Sequence, residues 1–146
     1  MFNKDSLKAK GKVHVVVKDA QGLVKEEFTT NNLVVDAGLD FIASRMNSTP
    51  GAMSHMAIGS DTTAAASVDT QLGNELARVA LTSDTVTNNS IEFVASFAAG
   101  TGTGAITEAG VLNGATGGTM LCRTVFSVVN KGAQDTMTVT WTVTIS

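Results

Sequence analysis

The stretch TMTVTWTVTIS (136–146) constrains this chain more than any other. Met137, Val139, Trp141, Val143 and Ile145 alternate strictly with threonines. A helix cannot use a repeat of two, because its apolar positions must recur near every 3.6 residues. The pattern dictates an extended strand with one apolar face and one β-branched polar face. The apolar face has to be covered by a second layer, so the strand implies a packed sheet architecture.

Other segments extend the same reading. KVHVVVKD and LVKEEFTT flank the short turn AQG and form a hairpin-like pair. LARVALTSDTV is expected to be a strand from about Arg78, and SIEFVASFA, ITEAGVLN and TMLCRTVFSVVN further strands. Gly132 in NKGAQD bends the chain into the last strand. DAGLDFIASRM predicts the one helix, with Leu39, Ile42, Ala43 and Met46 at helical spacing. Asp36 is placed to cap it, and Asp40 sits early, where the helix dipole favours an anion. Gly38 weakens that helix by about 1 kcal/mol relative to alanine. GSDTTAAASVDTQLGNE reads as a long surface loop with room for one helical turn. The expectation is an all-β, single-domain antiparallel β-sandwich, jelly-roll-like or immunoglobulin-like, with one short helix and an extended N-terminal arm. The boundaries expected are 1–12 for the arm and 13–146 for the sandwich.

A chain of 146 residues can bury enough surface to fold as one domain. Cys122 is its only cysteine, so no internal disulfide stabilises it. That fits a reducing compartment, or an assembly made inside a cell and released later. Charged residues make up 16% of the chain, against about 25% in an average protein. Few charges are left to cover the outside, so part of it is expected to lie against other subunits. The net charge of −3 is unevenly spread. Lys4, Lys8, Lys10, Lys12, Lys18 and Lys25 face only Asp5 and Asp19 in the first 25 residues, and the remainder is acidic. Lys4, Lys8, Lys10 and Lys12 are read as a partner-binding arm for an acidic neighbour, a copy of the chain included; a solvated tail is the alternative. Nucleic acid is disfavoured, because Phe2 is the only aromatic among these lysines and no arginine joins them. The N-terminal residues lack an apolar core of signal-peptide length, and no segment approaches ~18 apolar residues. Synthesis in the cytosol and no membrane association are expected.

Several chemistries were weighed on their residues. In AAGTGTGAITEAG (98–110), Gly100, Gly102 and Ala105 satisfy the loose dinucleotide pattern G-x-G-x-x-G/A. A phosphate loop needs a helix directly after the glycines, since the phosphate sits on that helix's free N–H groups. Ile106, Thr107, Gly110 and Val111 oppose a helix, so the segment reads as strand, flexible connection, strand. His14 and His55 lack companions at metal-ligand spacing, and Cys122 sits in an apolar strand as a small hydrophobe. Glu75–Arg78 and Glu108–Arg123 are read as structural ion pairs. The competing reading, a pair of carboxylates cleaving a glycoside, calls for an aromatic sugar cleft. Aromatics are only 5% of the chain, and Trp141 alternates into the apolar face of its strand. The expectation is a protein that is not an enzyme and takes no cofactor or metal.

Three blocks follow one another: NLVVDAGLDFIASRM, then MSHMAIGSDTTAAASVDTQLGNELARVAL, then GAITEAGVLN with GGTMLCRTVFSVVNKGAQDTMTVTWTVTIS. They contain an asparagine before a helix, h-A-x-G-(S/T) before a small-residue loop, and L-x-x-E-x-x-R. E-A-G-h-h-N, M-L-x-R-x-x-F and a threonine-rich last strand complete the series. This succession resembles a family of small virion proteins of tailed bacteriophages, over roughly residues 30–146. The resemblance implies a virion structural protein made in the bacterial host cytoplasm. Its first implication is a capsid decoration, or cement, protein that bridges and stabilises major capsid subunits. The partners would then be the major capsid protein and copies of itself, with no direct nucleic acid and no membrane. The alternative is a tail, baseplate or fibre-adaptor protein with other tail proteins as partners. Glu75, Arg78, Glu108 and Arg123 match the charged positions of these motifs, where they would be internal pairs that fix loops.

Overall fold

The alternating segment is the central strand of one of two five-stranded antiparallel sheets packed face to face. The computed structural model describes residues 7–146, so Lys4 lies outside the described residues. In chain order the elements are β1 (Ala9–Lys18), β2 (Val24–Asn31), β3 (Leu33–Val34), α1 (Asp36–Ser44), β4 (His55–Gly59) and β5 (Glu75–Ala80). They continue with β6 (Ser83–Thr87), β7 (Ser90–Phe97), β8 (Gly104–Leu112), β9 (Met120–Lys131) and β10 (Thr136–Ile145). The first sheet has the order β2-β1-β10-β7-β6 and the second β3-β9-β8-β4-β5. The fold is thus an all-β sandwich with one short helix.

β10 pairs with β1 from Ala9↔Ile145 to Lys18↔Thr136, and with β7 from Met137↔Phe97 to Thr144↔Ser90. Met137, Val139 and Trp141 are fully buried, and Val13, Val15 and Val17 of β1 share their face. These side chains meet Ile58, Ile106, Ala109, Val111, Cys122 and Val129 of the second sheet in one core cluster. The threonines of β10 point the other way, beside Lys12, His14 and Glu92, so the outer face of this sheet is polar and mostly neutral. The glycine segment after β7 carries the chain from the first sheet to β8 in the second. Gly100 and Gly102 take φ of 82° and 69°, a left-handed backbone that side chains resist, and no helix follows.

Three expectations are corrected. First, LARVALTSDTV is two strands, not one. β5 belongs to the second sheet and β6 to the first, with Leu81 and Thr82 making the change. Second, Asp36 does not cap α1. Val35 holds the N-cap position without a side-chain bond, and Asp36 lies in the first turn. The helix packs through Gly38, Phe41 and Ile42, whereas Leu39 and Met46 are 47% and 85% exposed. Third, the arm is shorter than residues 1–12. Ala9–Lys12 pair with Thr142–Ile145, and Lys8 exchanges backbone bonds with Ser146 at 2.6 and 2.8 Å. β10 runs far enough to offer these residues a partner, so Lys10 and Lys12 are strand residues.

β4 was missed because it is buried on both sides. Met56, Ala57, Ile58 and Gly59 show no alternation, since β5 and β8 flank the strand while the core and a loop cover its faces.

Gly38 lets the α1 backbone rest on the backbone of Leu121, where an added β carbon would collide with that residue's carbonyl. Helix propensity favours alanine by about 1 kcal/mol, but overpacking against a rigid strand costs about 1–3 kcal/mol. Gly38→Ala should therefore destabilise the fold, as a lower urea midpoint with unchanged slope; a higher midpoint would show that α1 does not sit this close.

Candidate functional site

β8 and β9 lie side by side with Gly110 opposite Arg123 and Glu108 opposite Val125, which sets Glu108 and Arg123 diagonally on one face. That is the outer face of the second sheet. A carboxylate placed there beneath a loop loses water and needs donors in its place. Glu108 is fully buried and accepts five N–H bonds. Oε1 takes the backbone N–H of Asp61 at 3.2 Å and of Asn74 at 2.8 Å. Oε2 takes that of Gly73 at 3.0 Å and Nε and Nη2 of Arg123 at 3.1 and 2.9 Å.

Arg123 extends the network into the loop between β4 and β5. Its Nη1 reaches Asp69 Oδ2 at 2.9 Å, and its Nη2 reaches the Thr63 carbonyl at 3.1 Å and Asp61 Oδ2 at 3.4 Å. Thr107 donates to the Asp61 carbonyl at 2.8 Å, and Asn74 to Ser60 Oγ at 2.7 Å. A loop of Ser, Thr, Ala and Asp has almost no apolar surface to bury, so this ionic centre holds it down. Asp61 has its carboxyl pKa drawn below the usual value, first by the Thr63 backbone N–H, with the Thr63 hydroxyl and Arg123 adding to the effect.

A second latch holds the β8–β9 turn. Ala77 faces Ile58 while Glu75 faces Gly59, so Leu76 is an extra residue in β5. That bulge resets the two-residue phase and brings Glu75 and Arg78 to one side. Arg78 Nη2 and Nε reach Glu75 at 2.7 and 3.0 Å, and its Nη1 reaches the carbonyls of Gly114 and Gly117 at 2.9 and 2.8 Å. Asn113 accepts the Thr119 N–H at 2.6 Å and donates to the Gly51 carbonyl at 3.2 Å.

The third cluster was not read from the sequence. Lys25 Nζ meets Asp135 Oδ2 at 2.5 Å, and the same oxygen accepts the Gly132 N–H at 2.7 Å. Lys25 and the Gly132 N–H hold the Asp135 pKa below the usual range. Lys131 is buried and donates to the Ala98 carbonyl at 2.9 Å; burial lowers its pKa, opposed by Asp135. Asp135 three residues after Gly132 was the visible half of the signal; Lys25 is 110 positions away.

The other candidates are dispersed. Lys8, Lys10 and Lys12 are exposed, and none forms an ion pair with another described residue. His14 pairs with Glu27 at 2.8 Å on the outer sheet face, and His55 bonds the Ser54 hydroxyl. Cys122 is fully buried, which pushes its thiol pKa up. Among the described residues no group of three or more His, Cys, Asp or Glu could hold a metal ion, and no helix is long and apolar enough to cross a membrane. No family model matches the chain, and no curated protein or solved structure matches it.

Removing one partner of a buried pair leaves the other charge uncompensated, at a cost of about 3–5 kcal/mol. Arg123→Met should lose that much stability in urea unfolding. Arg123→Met combined with Glu108→Gln should lose less than the sum of the single changes, and strict additivity would contradict the direct coupling. A second expectation concerns acid. Asp61 and Asp135 have lowered pKa values, so the stability they contribute is present above the ordinary 3.8 and is lost as pH falls below it. Melting temperature should drop on acidification below about pH 4, less steeply in Asp135→Asn; an identical slope would remove Asp135 from the account.

Proposed function

We propose that this chain is a structural protein of a tailed-bacteriophage virion, a capsid decoration protein that bridges and stabilises major capsid subunits. One observation carries the reading: the residues of the family-like motifs are those that build the two latches. Glu75 and Arg78 of L-x-x-E-x-x-R form one, and Glu108 and Arg123 form the other. Asn113 of E-A-G-h-h-N secures the turn beneath Arg78. Met120 of M-L-x-R-x-x-F is buried with Leu72, while Phe126 packs against Phe28. The resemblance therefore falls on the parts that hold two loops rigid, a property suited to a component that presents fixed surfaces to many identical neighbours.

The outer face of the first sheet suits the same role. Its threonines, Ser90 and Ser96 offer neutral hydrogen-bonding groups that are cheaper to desolvate than charges. Lys8, Lys10 and Lys12 stand exposed along the edge of this face and would dock on an acidic shell. The reading is of a binding protein with no catalytic step.

Capsids assembled without this chain should disassemble at lower temperature and lower salt than complete ones; equal resistance would refute the cement role. Densitometry against the major capsid protein should give hundreds of copies, whereas about 3–12, as closed symmetry dictates for a tail part, would favour the tail position. Replacing Lys4, Lys8, Lys10 and Lys12 with glutamate should reduce occupancy on the particle.

A further inference from the structure

The second sheet has an unfinished edge. β9 pairs with β8 over most of its length, but β3 covers its other side only at Cys122 and Arg123. From Val125 to Lys131 no backbone ladder occupies that edge among the described residues. β2, the outermost strand of the first sheet, faces it and is likewise unpaired on that side. The chain crosses from β2 to β3 at Asn32, and the Thr124 hydroxyl bonds the Asn31 carbonyl at 2.8 Å. The two strands are joined there and separate below. Between them lies a cleft of about 860 Å³ lined by Lys25–Thr30 and Val125–Val129. Phe28 and Phe126, with ring centroids 5.2 Å apart, form part of it, and Val128 is 51% exposed.

Two facing rows of unpaired amides and carbonyls fit an extended polypeptide, which can complete a ladder by strand addition. We infer that the β2–β9 cleft receives residues 1–8 of a second copy of this chain as an added strand on β9. Length supports this occupant. The open edge from Val125 to Lys131 spans about 23 Å at ~3.3 Å per residue, and residues 1–8 reach about 26 Å when extended. Charge supports it too. Glu26 lies opposite Val17 on the inner side of β2 and has no ion-pair partner among the described residues, while Lys25 is held by Asp135. Residues 1–8 bring Lys4 and Lys8 against Asp5. The exchange is between copies for a steric reason. Lys8 is fixed against Ser146, and the chain's own cleft lies beyond β2 and the crossover at Asn32. A detour around that crossover would consume the residues needed to cover the edge. The inference does not rest on the virion reading, because the purified chain alone tests it.

The experiment uses full-length single-cysteine variants, with Cys122 left buried. Lys4→Cys and Ser127→Cys are mixed and oxidised, beside a control mixture of Lys4→Cys and Thr140→Cys on the outer sheet face. A cross-linked pair is expected in the first mixture and not in the control. Glu26→Lys in the Ser127→Cys chain should reduce it roughly five-fold, as an exposed charge pair allows, and Lys4-side reversal through Lys8→Glu should restore part of the loss. Light scattering of the unmodified chain should show an assembly larger than one copy. A monomer at the highest clear concentration, equal cross-linking in the control, or a cross-link formed only within one chain carrying both cysteines would each overturn the proposal.

Discussion

A carboxylate cut off from water has to be surrounded by donors, and Glu108 is the place where this fold meets that demand. Three of its five donors are backbone N–H groups of the loop between β4 and β5, and two belong to Arg123. The loop supplies what the carboxylate needs, and the carboxylate gives a loop without apolar side chains a reason to stay in place. Removing either side leaves the other without partners. The outer face of the second sheet is therefore ordered by charge-assisted hydrogen bonds, while the space between the sheets is ordered by apolar burial.

That division separates two kinds of surface. The second sheet has its outer face capped by a latched loop, and its β8–β9 turn is fixed by Glu75 and Arg78. The first sheet leaves a flat row of threonines open, with His14, Glu27 and Glu92 beside it. Its edge strand β6 is exposed throughout and rich in threonine and serine, which limits unwanted edge pairing. The cleft between β2 and β9 differs from both, since it combines unpaired backbone with exposed apolar side chains.

Much of this was legible before any coordinates. Alternation in β10 set both its secondary structure and its buried face, and Trp141 lies in the core where its position in the repeat put it. The hairpin of β1 and β2 followed from two patterned runs around a glycine turn. The β4 strand was not legible, because a strand covered on both faces has no polar phase to reveal it. The split between β5 and β6 was hidden for a related reason: a chain that changes sheets keeps its extended pattern while its neighbours change.

Local chemistry, then, is what the residues determine alone: strands where the period is two, a bend where glycine must take positive φ, a helix over 36–44. Tertiary structure decided which distant groups meet. Arg123 reaches Asp61, Asp69 and Glu108, and Lys25 reaches Asp135, only because antiparallel strands bring remote segments within hydrogen-bond distance. Hydrogen bonds and ion pairs act over a few ångströms, whereas sequence periodicity reports only which side of its own strand a residue occupies.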